Sequence, residues 1–137
     1  MKPQIFHMPK RLDAVDPMVL ALKGQVEGHL AMDVQFRFNI CVSEALTNLV
    51  LHARSTDPDA QVDIALATVG EDIVIEIFDP PGAAAFDLRE KAAALSEVDL
   101  LAEGGRGLGL ILECADRVDY GAEGDRNRLR LAFRGRE

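Results

Sequence analysis

The order of the predicted helices and strands limits the fold of this 137-residue chain more strongly than any single motif does. Two helical patterns follow one another, the first from Asp13 or Asp16 to about Met32 and the second from about Val34 to Arg54. A pair of alternating strands comes next. Because helices and strands do not alternate, the order disfavours a doubly wound parallel sheet. It predicts an α+β fold, a two-layer sandwich in which a mixed, mostly antiparallel sheet carries helices on one face.

The remaining segments fit one sheet and one helical layer. The strands 61–69 and 72–79 are joined by a tight turn around Gly70. No repeat or second domain is visible, so residues 1–137 are predicted to form a single domain. The other predicted elements are an edge strand at 3–8, a loop at 55–60, a long connection at 80–105 that includes a short helix at 87–95, a third helix at about Leu108–Arg117, and two terminal strands.

Local patterns add three expectations. Asp16, which precedes Pro17, is expected to cap the first helix. Gly24 and Gly28 either allow a neighbouring element to approach closely or are simply tolerated. On the last strand, the apolar residues Leu129, Leu131 and Phe133 are expected on one face, and Arg128, Arg130 and Arg134 on the other.

Composition narrows the class of protein. A formal net charge of −8 argues against nonspecific nucleic-acid binding, which needs a basic face. It leaves a phosphate ligand open, because backbone amides and a metal ion can hold phosphates locally.

No apolar run is long enough to cross a bilayer, and the N-terminus does not resemble a signal peptide, so we expect a cytoplasmic protein without a membrane partner. Cys41 and Cys114 lie in apolar helical patterns and are expected to be reduced core thiols.

A row of three polar residues interrupts the apolar second helix. Glu44, Asn48 and His52 recur every four residues and therefore share one helix face. At the edge of a core-facing helix, a carboxylate can act as a general base, and an amide oxygen can ligate Mg²⁺. His52 could orient a neighbouring group. The alternative is a solvated polar stripe.

Two further motifs suggest a nucleotide site. Asp79 ends an apolar strand, where a carboxylate can accept a hydrogen bond from an adenine amino group; equally, Asp before Pro commonly starts a turn. The segment GGRGLGL at 104–110 opens a helix with four glycines. Glycines allow backbone amides to approach a ligand, and a helix N-terminus favours phosphate. The alternative for this segment is a flexible hinge.

Taken together, these motifs resemble the GHKL ATPase fold, also called the Bergerat fold, which is the ATP-binding module of histidine kinases and gyrase-type ATPases. EALTNLVLHA at 44–53, the turn at Asp79 and GGRGLGLILECADRV look like the anti-sigma-factor serine/threonine kinases, which are bacterial switch proteins. The resemblance covers about residues 10–134. It implies an enzyme that uses ATP and Mg²⁺, phosphorylates an antagonist protein on serine and sequesters a sigma factor or similar regulator of transcription. Homodimers are common in that family.

The resemblance also implies roles for individual residues. Glu44 would be the base that activates the partner's serine or a water, and Asn48 would hold Mg²⁺ between the ATP phosphates. Asp79 would read adenine, and the loop 83–104 would be the ATP lid. The remaining nucleotide contacts implied are with His52, Gly82, Gly105, Arg106, Gly107, Leu108, Gly109, Leu110 and Asn127.

The chain departs from the family pattern at the adenine end. The usual D-x-G-x-G turn is replaced by the run from Asp79 to Ala83, in which proline and alanine stand where the family has glycines. Asn127 stands near the position of a family threonine that helps to hold adenine. A partner-switching module with weak or lost ATP use is therefore one alternative. A detached histidine-kinase catalytic domain is another, although no dimerisation hairpin with a phosphoacceptor histidine is present.

Overall fold

The computed structural model describes residues 2–52, 59–80, 111, 113–123 and 126–135. Within these residues the elements follow the predicted order. The strands are β1 (Gln4–Pro9), β2 (Gln61–Val69), β3 (Asp72–Phe78), β4 (Arg117–Glu123) and β5 (Arg126–Arg134). The helices are a short 3-10 turn (Leu12–Ala14), α1 (Val15–Val26) and α2 (Met32–His52), and residues 111, 113 and 114 are also helical.

The strands form one sheet in the order β1-β2-β3-β5-β4, and each neighbouring pair is antiparallel. β1 lies at an edge, as the sequence predicts. Val69 pairs with Asp72, so the β2–β3 hairpin turns on Gly70 and Glu71 alone. Gly70 has a φ of 62°, a left-handed conformation that glycine adopts without strain. The α+β prediction of a two-layer, mostly antiparallel fold is confirmed.

The core lies between the sheet and the helices. Alternate strand residues are buried on this side, and the two Phe rings of Phe38 in α2 and Phe133 in β5 meet edge to face, with centroids 5.1 Å apart. This contact joins the helical layer to the centre of the sheet. The predicted alternation on β5 is confirmed, since its apolar residues are buried while its arginines are at least partly exposed. The strand residues that build this core include Val62, Ile64, Leu66, Ile73, Ile75, Ile77, Leu129 and Leu131.

Several local expectations were wrong. Asp16 does not cap α1, because the preceding 3-10 turn runs directly into the helix and puts Ala14 at the N-cap, without a side-chain hydrogen bond. α1 ends at Val26 rather than near Met32. For Gly24 and Gly28 the second alternative, simple tolerance, is supported, because a Cβ at either would meet no atom of the described residues within 4 Å.

The end of the predicted third helix also needs correction. Arg117 is the first residue of β4 rather than the last of a helix. Asp116 donates its backbone N–H to the carbonyl of Ala132 at 2.9 Å, so pairing with β5 has already begun one residue earlier. β4 therefore begins at a residue that the sequence pattern had assigned to the helix.

The two cysteines are free and buried, as predicted. Burial is the main cause that raises the pKa of the Cys41 thiol to about 12, and the nearby Cys114 adds to it. The Cys41 Sγ lies 3.7 Å from the carbonyl oxygen of Ile111, to which it can donate a weak hydrogen bond. Cys41 therefore belongs to the packing between α2 and the helical residues near 111.

None of the helices in the described ranges is long and apolar enough to cross a membrane.

Candidate functional site

Two residues of the polar row on α2 are at least partly withdrawn from solvent. Asn48 is only 6% exposed, and Glu44 is half-buried one turn earlier. Asn48 Nδ2 donates a hydrogen bond to the backbone carbonyl oxygen of Glu44 at 2.8 Å. Asn48 is therefore not part of a solvated stripe. His52 is the last residue of α2, and its side chain lies outside the described part of the structure.

The hydrogen bond of Asn48 fixes which amide atom is available to a ligand. A carbonyl oxygen accepts only from a donor, so the NH₂ group of Asn48 must face Glu44. This leaves Asn48 Oδ1 as the atom that can ligate a hard cation. The donor chemistry at this position fits Mg²⁺, which prefers oxygen ligands and retains waters.

Asp79 forms the second part of the site, at the end of β3. Asp79 is 3% exposed to solvent, and Asn127 in β5 is 8% exposed. Asn127 Nδ2 donates to Asp79 Oδ2 at 3.1 Å, and the Asp79 backbone N–H donates to the Asn127 carbonyl oxygen at 3.0 Å. Among the described residues, no side chain donates to the other carboxylate oxygen, Oδ1. That oxygen can accept a hydrogen bond from a ligand amino group.

The electrostatic environment of Asp79 is set by its burial. Loss of solvent raises the pKa of the carboxyl above its usual value of 3.8. The hydrogen bond from Asn127, the backbone N–H of Asp79 and the charge of Arg126 all act in the opposite direction. Asn127 thus stabilises the ionised form, which is the better acceptor for an amino group.

Arg126 was not among the site residues predicted from the sequence. Arg126 is the first residue of β5. Its Nε donates to the Asp79 carbonyl oxygen at 2.7 Å, and its guanidinium also forms an ion pair with Asp63 of β2. The signal available in the sequence was the strand alternation, which places Arg126 two residues before Arg128 on the same face.

The structure brings together Asp79 and Asn127, and it holds Glu44 and Asn48 one turn apart on a helix that packs against β5. The remaining predictions lie outside the described residues. These are the loop 83–104 and Gly82, Gly105, Arg106, Gly107, Leu108, Gly109 and Leu110.

Comparison with known proteins identifies the family. The sequence profile of the histidine kinase-like ATPase domain matches residues 8–133, which includes every described residue of this site. The chain belongs to the histidine kinase-like ATPase domain family. Its α-helical layer and open antiparallel sheet are those of this ATPase domain, and the predicted resemblance is confirmed at this level.

Solved structures show the same fold for this histidine kinase-like ATPase domain. One contains the RsbU and RsbW domains of Rv1364c from Mycobacterium tuberculosis, with a TM-score of 0.70 and 14% identity over 100% of this chain and 34% of that one. Another is the histidine kinase domain of the Erythrobacter litoralis EL346 blue-light activated histidine kinase, with a TM-score of 0.52 and 16% identity over 91% of this chain and 64% of that one. The chain thus spans about a third and somewhat under two thirds of these two proteins. No curated protein sequence matches it.

Proposed function

We propose that the protein is an ATP-binding regulatory serine kinase of the anti-sigma-factor type. It would phosphorylate an antagonist protein on serine and sequester a sigma factor or a similar regulator. Membership of the histidine kinase-like ATPase family supports the proposal that the protein binds ATP. The fold shared with the RsbW-containing structure is consistent with the anti-sigma-factor type.

One observation carries the nucleotide part of the proposal. Asp79 is a buried carboxylate at the end of a central strand; Asn127 donates to one of its oxygens, and among the described residues no side chain donates to the other. A buried acid normally has its full set of partners inside the protein. An acceptor to which no described side chain donates therefore suits an amino group that comes from outside, such as the exocyclic amine of adenine.

Phosphoryl transfer to serine needs a base, a metal ligand and charge stabilisation, and little other chemistry from the protein. In the proposed reaction the serine hydroxyl oxygen bonds to the γ-phosphorus, the bond to the β–γ bridging oxygen breaks, and ADP leaves. Glu44 would accept the hydroxyl proton. Asn48 Oδ1 would ligate Mg²⁺, which when bound neutralises the phosphate charge.

The part of the proposed site that would bind the ATP phosphates is inferred from the sequence alone. Gly105, Gly107 and Gly109 would provide backbone amides, together with those around Leu108 and Leu110, and Arg106 would meet a phosphate oxygen. The loop 83–104 would close over the nucleotide, and His52 and Gly82 would line it.

The kinase activity is tested by incubating the protein with Mg-ATP and its antagonist protein. Glu44→Gln keeps the size of the side chain but removes the base, so transfer should fall roughly 100-fold or more. Glu27→Gln is the matched control, because Glu27 is exposed at the C-terminal end of α1. Equal transfer by both variants would reject Glu44 as the base.

A partner-switching module without effective ATP use is the second candidate. It is favoured by Pro80 and Pro81, which follow Asp79 where the family has a glycine-containing turn. Prolines stiffen this turn and remove two backbone donors. In that case the protein would still capture its regulator, but phosphate transfer would be absent and the nucleotide would bind weakly or not at all.

A detached histidine-kinase catalytic domain is the third candidate, in line with the fold shared with the light-activated histidine kinase. The chemistry of the product distinguishes it from the serine kinase. Phosphoserine survives acid treatment, whereas phosphohistidine is hydrolysed. Acid-stable label on the antagonist is expected for the proposed function.

A homodimer is also part of the proposal. Among the described strands β1 lies at an edge of the sheet, where a second strand can pair, and its Ile5 is 62% exposed. Light scattering at several protein concentrations measures the mass directly. A mass of one chain at all concentrations would reject the dimer.

A further inference from the structure

We infer that Arg126 is a positioning residue for the nucleotide base. Its guanidinium fixes the backbone of Asp79, so that the Asp79 carboxylate is aimed at the amino group of adenine. Arg126 itself would not touch the nucleotide. The inference rests on the proposed function, because it takes Asp79 to be the group that reads the base.

Arg126 holds Asp79 from the side of the sheet that the helices leave uncovered. Its Nε donates to the Asp79 carbonyl oxygen at 2.7 Å, and its Nη2 lies 3.5 Å from the carbonyl oxygen of Phe78. Asn127, the next residue, faces the helical layer and binds the Asp79 carboxylate. Two adjacent residues of β5 therefore bind Asp79 from opposite faces of the sheet. Arg126 binds the backbone of Asp79, and Asn127 binds its side chain.

The guanidinium is itself held in place. Its Nη1 forms an ion pair with Asp63 Oδ2, and the other oxygen of that carboxylate lies 2.6 Å from His7 Nδ1. The guanidinium carbon lies 5.6 Å from the centre of the Phe78 ring, within the range of a cation–π contact. The Arg126 side chain is 19% exposed. A planar donor fork with three sets of partners has little freedom to rotate, so its contact with Asp79 is well defined.

The backbone at Asp79 has a specific need for such a contact. β3 ends at Phe78, and the Asp79 N–H makes the next backbone bond to β5. Pro80 and Pro81 follow, and proline has no N–H to donate. The two prolines therefore add no backbone donor beyond Asp79, and Arg126 anchors this end of β3 through the Asp79 carbonyl oxygen instead.

The simpler explanation is that Arg126 only stabilises the sheet through its ion pair. The chain offers a matched control for that explanation. Arg128 lies two residues further along β5 on the same face, and it forms an ion pair with Glu76 of β3 at 3.0 Å. Replacing Arg128, which pairs with Phe78 in the ladder, removes an arginine and an ion pair from the same surface.

The experiment is a calorimetric titration of the full chain with Mg-ADP and with Mg-GDP, for the wild type, Arg126→Met, Arg126→Lys and Arg128→Met. Loss of a charge-assisted hydrogen bond predicts roughly tenfold weaker ADP binding by Arg126→Met. GDP, whose base lacks an amino group at the same ring position, should lose less, so the ADP-to-GDP affinity ratio falls. Arg126→Lys should recover part of the ratio, and Arg128→Met should keep it. Should Arg126→Met not fold by circular dichroism, Arg126→Gln, which keeps a donor and loses the charge, replaces it.

The possible results separate this inference from the proposed function. If the wild type binds ADP and the Arg126 variants keep its ADP-to-GDP ratio, Arg126 is not a positioning residue, while the nucleotide proposal stands. If Arg126 and Arg128 variants lower both affinities equally, the role of Arg126 is only to stabilise the sheet, and the inference is overturned. If the wild type binds no ADP, the proposed function fails and the inference falls with it.

Discussion

Asn127 stabilises the buried carboxylate of Asp79, with its Nδ2 3.1 Å from Asp79 Oδ2 and both residues almost excluded from solvent. The two residues are also joined through their backbones, because the Asp79 N–H donates to the Asn127 carbonyl oxygen at 3.0 Å. A side chain and its backbone are thus held by one and the same partner. This arrangement places an acid at the end of a central strand without leaving it unpaired.

Removing the side-chain amide of Asn127 should destabilise the protein, because the Asp79 carboxylate would stay buried without this donor. In Asn127→Ala, Asp79 loses its side-chain donor, so the free energy of unfolding should fall by about 1–3 kcal/mol. Urea denaturation measures the change. Asn127→Thr is the matched control, because a hydroxyl at this position can still donate to the carboxylate, and it should recover part of the loss. Equal stability of the Ala variant and the wild type would show that the bond contributes nothing.

The ion pair of Asp63 predicts a definite pH dependence. Although partial burial opposes ionisation, hydrogen bonds and charges from Arg126 and His7 lower the pKa of Asp63 below its usual 3.8. A carboxyl with a lowered folded-state pKa contributes stability above its unfolded-state pKa and loses it as the pH falls through the folded value. The stability gap between the wild type and Asp63→Asn should therefore be largest near neutral pH and shrink below pH 3.8. Denaturation at a series of pH values checks this, and a gap that widens in acid would contradict it.

The packing between the two layers can be tested with two phenylalanines of α2. Phe38 is fully buried against Phe133, whereas Phe36 is 66% exposed on the same helix. Phe38→Ala should lower the free energy of unfolding by about 3–5 kcal/mol, because it removes an aromatic ring and leaves a cavity. Phe36→Ala should change it by less than about 0.5 kcal/mol. Similar losses in thermal or urea denaturation would place Phe38 outside the core.

Cys41 should be unreactive in the folded protein. It is fully buried, and its pKa is raised to about 12, so almost no thiolate exists near pH 8. Labelling with iodoacetamide at pH 8, followed by mass spectrometry of the peptide that contains Cys41, should show modification only after the protein is unfolded. Labelling of Cys41 at the rate of a free thiol would mean that the core opens readily.

Much of the fold was predictable because local patterns determine it. Alternation at 61–69 and 72–79 predicted β2 and β3 closely, since the side chains of a half-buried strand must alternate between solvent and core. The cap of α1 was mispredicted because a 3-10 turn precedes the helix, and backbone continuity replaced the side-chain cap expected from Asp16. The spatial order of the strands, with β5 between β3 and β4, was not predicted because strand patterns do not specify partners across the long connection.

The candidate site was predictable to the extent that its groups are close in sequence. Glu44 and Asn48 were found by helical spacing, and their backbone contact follows from it. Arg126 was missed because its partners Asp63 and Asp79 are 63 and 47 positions away, and no local pattern records such a contact. The roles of Glu44 and Asn48, of Asp79 and Asn127, and of the glycines at 104–110 stay predictions.

Calorimetric titration with Mg-ADP tests the central claim most directly, namely that Asp79 reads the base of a bound nucleotide. Asp79→Asn replaces the acceptor oxygens with an amide, and Asp119→Asn, on an exposed position of β4, is the matched control. The account predicts measurable ADP binding by the wild type and by Asp119→Asn, weakened by roughly tenfold or more in Asp79→Asn. Absence of binding by the folded wild type, or equal binding by all three proteins, would contradict it.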